Sequence, residues 1–173
     1  MTQPRVILER LGARHVPDLD ALAADPSVVR FTRIPEPAPP DFVETWLARY
    51  VAGERDGSCA GFAALDEESR FLGVGLAPAI DESAGEVELG YVVASAARGR
   101  GVAREILRQL TAWAFAETGA ERIVLIIDSE NVASSRVAAG AGYTLEGVMR
   151  SILVKPGVRR DAELWSRLRG DPA

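Results

Sequence analysis

The chain has 173 residues, 47% of them hydrophobic and 26% charged, a globular composition that excludes a wholly disordered chain and fits one domain over 1–173. A net charge of −5 argues against a nucleic-acid partner, whose phosphates reward basic surfaces. One cysteine, Cys59, and one histidine, His15, exclude an intrachain disulfide and leave too few ligands for a Cys/His zinc site. In chain order, Arg5–Arg10 reads as a strand with Val6 and Leu8 on one face. Val16–Phe31 reads as helical, with Leu19, Leu22 and Ala23 at helical spacing and a break at Asp25-Pro26. Ile34–Pro40 holds four of the ten prolines, so it is a stiff loop, either a surface connection or one wall of a cleft.

Asp41 is the expected N-cap of a helix through Ala52, with Phe42, Trp46, Leu47 and Tyr50 as its apolar stripe. Ala60–Leu65 and Phe71–Leu76 read as strands joined by a turn over Asp66–Arg70. Val87–Val93 is a further strand. A long helix is expected from about Gly101 to Thr118, with Val102, Ile106, Leu110, Trp113 and Ala114 in one stripe and Gly119 as its stop. Arg122–Ile127 is almost continuously apolar, hence a strand buried on both faces. Asn131–Ala139 reads as a short helix, and Tyr143–Val154 with Asp161–Arg169 as a closing strand pair. The expected class is α/β or α+β, a mostly antiparallel sheet with a parallel element in the middle.

The strand-loop-helix segment from Glu86 to Glu105 carries the chemistry. Arg98-Gly99-Arg100-Gly101-Val102-Ala103 lies at the junction. Glycines let the backbone approach a ligand closely, and the free amides of a helix N-terminus favour an anion. Arg98 and Arg100 add positive charge. The expected ligand is a phosphate or pyrophosphate. A Walker loop needs a Lys-Ser/Thr after its last glycine, and none is present. A dinucleotide fingerprint needs a glycine where Arg104 stands. A pantetheine-linked pyrophosphate fits.

Arg98-x-x-Gly101-x-Ala103, after a strand ending Gly90-Tyr91-Val92-Val93, resembles the acetyl-CoA loop of the GNAT N-acetyltransferases. Asp25-Pro26-Ser27-Val28, Phe31, Trp113-Ala114-Phe115, Asn131 to Arg136, Gly142 to Gly147 and Asp161 extend the resemblance over nearly the whole chain, toward the RimJ/RimL-type branch. The resemblance implies a GNAT fold with splayed central parallel strands and helices on both faces. It implies acetyl-CoA as co-substrate and transfer of acetyl to a primary amine, on a small molecule or a protein N-terminus. Val92 and Val93 would pair with pantetheine. The backbone of Arg98, Gly99, Arg100, Gly101, Val102 and Ala103 would hold the pyrophosphate, and Asn131 would lie near the pantetheine arm.

An ammonium group must lose a proton before it attacks. Glu88 matches a family glutamate and is the first choice for that task; Glu86, on the same face, is the second. Many GNAT enzymes carry a tyrosine as thiolate donor, and Ala138 stands at that position here. In RimL-type proteins a serine near the sulfur is a proposed donor, and the resemblance implies Ser134, at the matching position, as the candidate. A glutamate of RimL-type proteins is matched by Leu153. The missing tyrosine keeps a CoA-binding module without turnover as the alternative. A homodimer is compatible with the family. No apolar run approaches the ~18 residues of a membrane span, and Met1–Arg10 lacks a leader pattern, so the expected location is the reducing cytoplasm.

Overall fold

The structure is a computed structural model in which residues 5–172 are described; the first four residues, part of the stretch read for a leader pattern, lie outside them. Seven strands form one sheet: β1 Ile7–Arg10, β2 Ala60–Leu65, β3 Phe71–Asp81, β4 Glu86–Val93, β5 Arg122–Asp128, β6 Thr144–Lys155 and β7 Val158–Leu168, in the order β1-β2-β3-β4-β5-β7-β6. Every neighbouring pair is antiparallel except β4–β5, which is parallel.

The helices cover both faces of the sheet. On one side lie α1 Val16–Ala23, α2 Pro26–Phe31 and α3 Phe42–Asp56; on the other, α4 Val102–Glu117 and α5 Val132–Gly140. β2 shows why the chain folds in three layers. Ala60, Phe62 and Ala64 join the α4-side core, Ala63 and Leu65 the α1–α3 side, and the whole strand is buried. Period-two alternation thus delivers one strand to two cores. On α4, Val102, Ile106, Leu107, Leu110 and Ala114 are buried, and Trp113 stays half-buried at the margin of the stripe.

Several boundaries differ from the sequence reading. β1 begins at Ile7 rather than Arg5, α3 runs on to Asp56, and β3 runs on to Asp81. The α3 extension ends at Gly57 with φ +79, so the stop lies one turn later than the pattern suggests. Asp41 occupies the N-cap of α3, but its side chain makes no capping bond. Asp25 does cap: its Oδ1 accepts from the Ser27 amide at 2.9 Å, so Asp25-Pro26 ends one helix and starts the next.

Candidate functional site

β4 and β5 pair only from Glu86–Arg122 to Glu88–Val124. Beyond that, β4 stays bound to β3 as far as Val93, and β5 stays bound to β7 as far as Asp128. The two parallel strands therefore diverge into a wedge with Glu88 and Val124 at its apex. A bulge in β3 between Leu76 and Ala79 lies beside this point. Pro78 sits in that bulge and has no amide to give to a ladder, which explains the irregularity there. The closed end is pinned by charge. The Arg122 guanidinium binds Glu86 at 2.7 Å and both carboxylate oxygens of Glu146. Arg122, with help from Ser166, holds the Glu146 carboxyl down at about 2.

At the open end of the wedge, Gly99 (φ +72) and Gly101 (φ +81) turn the chain into α4. Both values lie in the left-handed region that an L side chain adopts only at a cost of about 1–2 kcal/mol. A Cβ at Gly99 would meet nothing within 4 Å, so the outer side of the loop is open. The amides from Gly99 to Arg104 reach no carbonyl among the described residues, as expected for a helix start. They form a ready anion cradle.

The sequence-derived residues are placed as follows. Val92 and Val93 lie on the arm of β4 that borders the wedge, with Val92 toward the α1–α3 side and Val93 toward α4. Arg98 is exposed and reaches across to α2. Its guanidinium donates to the Val93 carbonyl (3.0 Å), the Ser27 hydroxyl (2.7 Å) and the Asp25 carboxylate (2.7 Å). It ties the loop to α2, and the Arg98 amide donates to the Ser95 carbonyl at 3.3 Å, so the free amides of the cradle begin at Gly99 rather than at Arg98. The Ser27 hydroxyl first, with Arg98 contributing, keeps Asp25 below the usual carboxylate range. Arg100 is exposed, Val102 is buried under α4 and Ala103 is half-buried at its first turn. Asn131 caps α5, its Oδ1 accepting from the Ser134 amide at 3.2 Å.

Glu88 is half-buried and faces a cavity of about 730 Å³ on the α1–α3 side, alongside Gly90 and Val92. Glu86 does not line this cavity; Arg122 holds it at the closed end of the wedge. Ser134 is half-buried on α5, and its carbonyl accepts from the Tyr91 hydroxyl at 3.4 Å. Ala138 is fully buried. Tyr143 is also buried and shares a 2.7 Å hydrogen bond with Thr111, which fixes it as a packing residue. The proline-rich loop serves both readings: Arg33 and Ile34 line the cavity, while Glu36–Pro40 are exposed.

Three residues of the site were missed in the sequence. Tyr91 reaches from β4 to α5, and burial raises its phenol pKa, so it stays protonated. Asp128, at the tip of β5, lines the cavity and is held by Arg160 at 3.1 Å. Arg33 donates to Glu88 at 3.0 Å. Period two places Tyr91 opposite Glu88 on β4, a signal that was available. The other two depend on chain returns that no local pattern reveals.

The acetyltransferase (GNAT) domain family matches residues 5–144. The chain belongs to this GNAT family. A curated relative, the uncharacterized N-acetyltransferase YoaA of Bacillus subtilis (strain 168), is 25% identical over 124 residues, covering 72% of this chain and 68% of that protein. Among solved structures, a RimL ribosomal L7/L12 alpha-N-protein acetyltransferase in complex with coenzyme A is similar in fold, with a TM-score of 0.86 at 20% identity, over 94% of this chain and 93% of that one. A spermidine N-acetyltransferase from Vibrio cholerae, in complex with CoA and spermine, superposes with a TM-score of 0.85 at 17% identity, over 96% of each chain. This GNAT protein is an N-acetyltransferase that takes acetyl-CoA as co-substrate and an amine as acceptor. The cradle, the wedge and the open glycine loop fit that co-substrate: from Leu89 to Val93 the wedge arm offers about 13 Å of strand backbone for a pantetheine arm to pair with.

Proposed function

We propose that the whole chain works as one acetyltransferase unit in which Glu88 directs acetyl transfer to a primary amine at the apex of the wedge. The observation that carries this reading is the position of Glu88. It is the last β4 residue paired to β5, and its carboxylate faces the large cavity. The amine, from a small molecule or a chain N-terminus, enters from that cavity. Glu88 takes one proton from the ammonium, directly or through a water, and frees the nitrogen lone pair. The nitrogen attacks the thioester carbonyl carbon; the C–N bond forms, the C–S bond breaks, and the second amine proton leaves to solvent. The departing thiolate is protonated from the α5 side. Ser134 is the donor assigned there, since no hydrogen bond engages its hydroxyl among the described residues. Val92 and Val93 border the pantetheine arm, the amides from Gly99 to Ala103 hold the pyrophosphate, and Asn131 fixes the α5 N-terminus beside it.

Glu88→Gln tests the assignment. Thiol release should fall about 10²–10⁴-fold, the usual range for losing a general base, with acetyl-CoA affinity retained. A variant that turns over at the parent rate contradicts it. The edge strand β6 exposes Val148, Ile152 and Val154, which supports pairing of two copies through that edge. The single thiol, Cys59, is buried, in keeping with a reducing cytoplasmic setting.

A further inference from the structure

The wall of the acceptor cavity carries more positive than negative charge. Arg30, Arg33, Arg49, Lys155 and Arg160 line it, against Glu88 and Asp128. Asp128 is committed to Arg160 at 3.1 Å, and Arg30 pairs with Glu130 at 3.2 Å. Lys155 donates to the Val29 carbonyl and Arg49 to the Pro78 carbonyl, and neither has a carboxylate partner among the described residues. A polycation entering this cavity would meet like charges with the carboxylates already matched, an arrangement that rejects it.

Around Glu88 the pattern is more specific. Arg33 touches its carboxylate at 3.0 Å. Arg49 lies over the Tyr50 ring at 5.5 Å and binds the carbonyl of Pro78, next to Ala79, the β3 partner of Glu88. Among the described residues only Arg33 touches the Glu88 carboxylate, while Arg49 lines the same cavity with its guanidinium on the Pro78 carbonyl. Arg33 is two-thirds exposed, and an exposed ion pair contributes at most about 1 kcal/mol, so the Arg33–Glu88 contact can open for a ligand. Part of the cavity wall is apolar, formed by Leu19, Leu22, Val28, Phe31, Phe42 and Trp46.

We propose that the acceptor is a free α-amino acid with an apolar side chain, its ammonium on Glu88, its carboxylate on Arg33 and its side chain in the apolar part of the cavity. The proposal rests on Glu88 engaging the amine, as in the function proposed above. A guanidinium beside a carboxylate is complementary to a zwitterion, where a simple amine leaves Arg33 without a new partner. The fork of Arg33 suits a carboxylate bidentately. A peptide N-terminus has no carboxylate on the same carbon and forfeits this contact.

Thiol release from acetyl-CoA would be measured with L-phenylalanine, 2-phenylethylamine and spermidine. The expected order is L-phenylalanine first, with kcat/KM at least about tenfold above the decarboxylated amine, the usual scale of one charge-assisted hydrogen bond. In Arg33→Gln this ratio should collapse through a raised KM for L-phenylalanine, and Arg33→Lys should restore part of it. Calorimetric titration of the CoA-loaded protein with the same compounds gives a readout without turnover. Carboxylate-dependent binding of L-phenylalanine without turnover overturns its assignment as acceptor. Equal or better use of 2-phenylethylamine or spermidine overturns the amino-acid assignment and leaves acetyl transfer intact. Absence of carboxylate-dependent binding overturns it as well.

Discussion

Single side chains in this protein are set by what surrounds them, and two residues show opposite outcomes. Glu88 keeps an exposed, exchangeable partner in Arg33 and faces a cavity, whereas Glu86, two residues away on the same face, is locked by Arg122. Sequence spacing cannot separate them; the pairing of β4 with β5 does. His15 is buried, with its Nδ1 accepting from the Gly12 amide at 3.1 Å and its Nε2 2.8 Å from Glu9. Burial first, then the Arg14 charge, lowers its pKa below 6.5. Its contribution to stability is therefore present above about pH 6.5, the unfolded value, and is lost as pH falls through the lower folded value. Thermal melts between pH 8 and pH 5 should show a fall in Tm of a few degrees that His15→Gln flattens. Identical slopes in the two proteins would remove His15 from the account.

At the scale of elements, the wedge depends on how closely β3 can approach β4. Gly73 has φ +151, and a Cβ there would meet the Val92 carbonyl oxygen at 2.1 Å. That contact is backbone, so β4 must move. Gly73→Ala should raise the KM for acetyl-CoA severalfold and lower Tm, because the displaced segment is the cofactor arm of the wedge. An unchanged KM would mean that Val92 and Val93 do not border the cofactor. Helix and strand types were legible in the sequence because their periods are local: the α4 stripe, the apolar β5 run and the Asp25-Pro26 break all lie where the pattern put them. The ends of α3 and β3 were not legible. The signal that stops α3 lies at Gly57, past a stretch that also reads as loop, and Pro78 falsely suggests an end to β3. The turn into α4 was legible because paired glycines before a helix mark backbone that adopts positive φ, as Gly99 and Gly101 do. The cavity charge was not, because Arg33, Lys155 and Arg160 come from segments far apart in the chain and meet only in the fold.

For the molecule as a whole, the sheet has one long edge with an apolar face. β6 pairs only with β7, and its Val148, Ile152 and Val154 are more than half exposed. Such an edge invites pairing with another strand unless something covers it. Light scattering at micromolar protein should report a dimer, and Val148→Lys should shift it toward the monomer; a monomeric parent would refute the pairing. Ile152 and Val154 also line the acceptor cavity, so loss of the pair should weaken acceptor binding as well.

The most direct test of the central claim, that acetyl-CoA lies along the wedge with its pyrophosphate on the glycine loop, is a calorimetric titration of the full chain with acetyl-CoA. The parent and Gly101→Val would be compared, with circular dichroism confirming that both are folded. Gly101 holds φ +81 at the N-cap of α4, a conformation a β-branched residue adopts only under strain. The account predicts saturable binding by the parent and at least about a tenfold loss in the variant, equivalent to the ~1.4 kcal/mol that the strain and the displaced amides can supply. Equal affinity in the two proteins, or no binding by the parent at millimolar ligand, would contradict it.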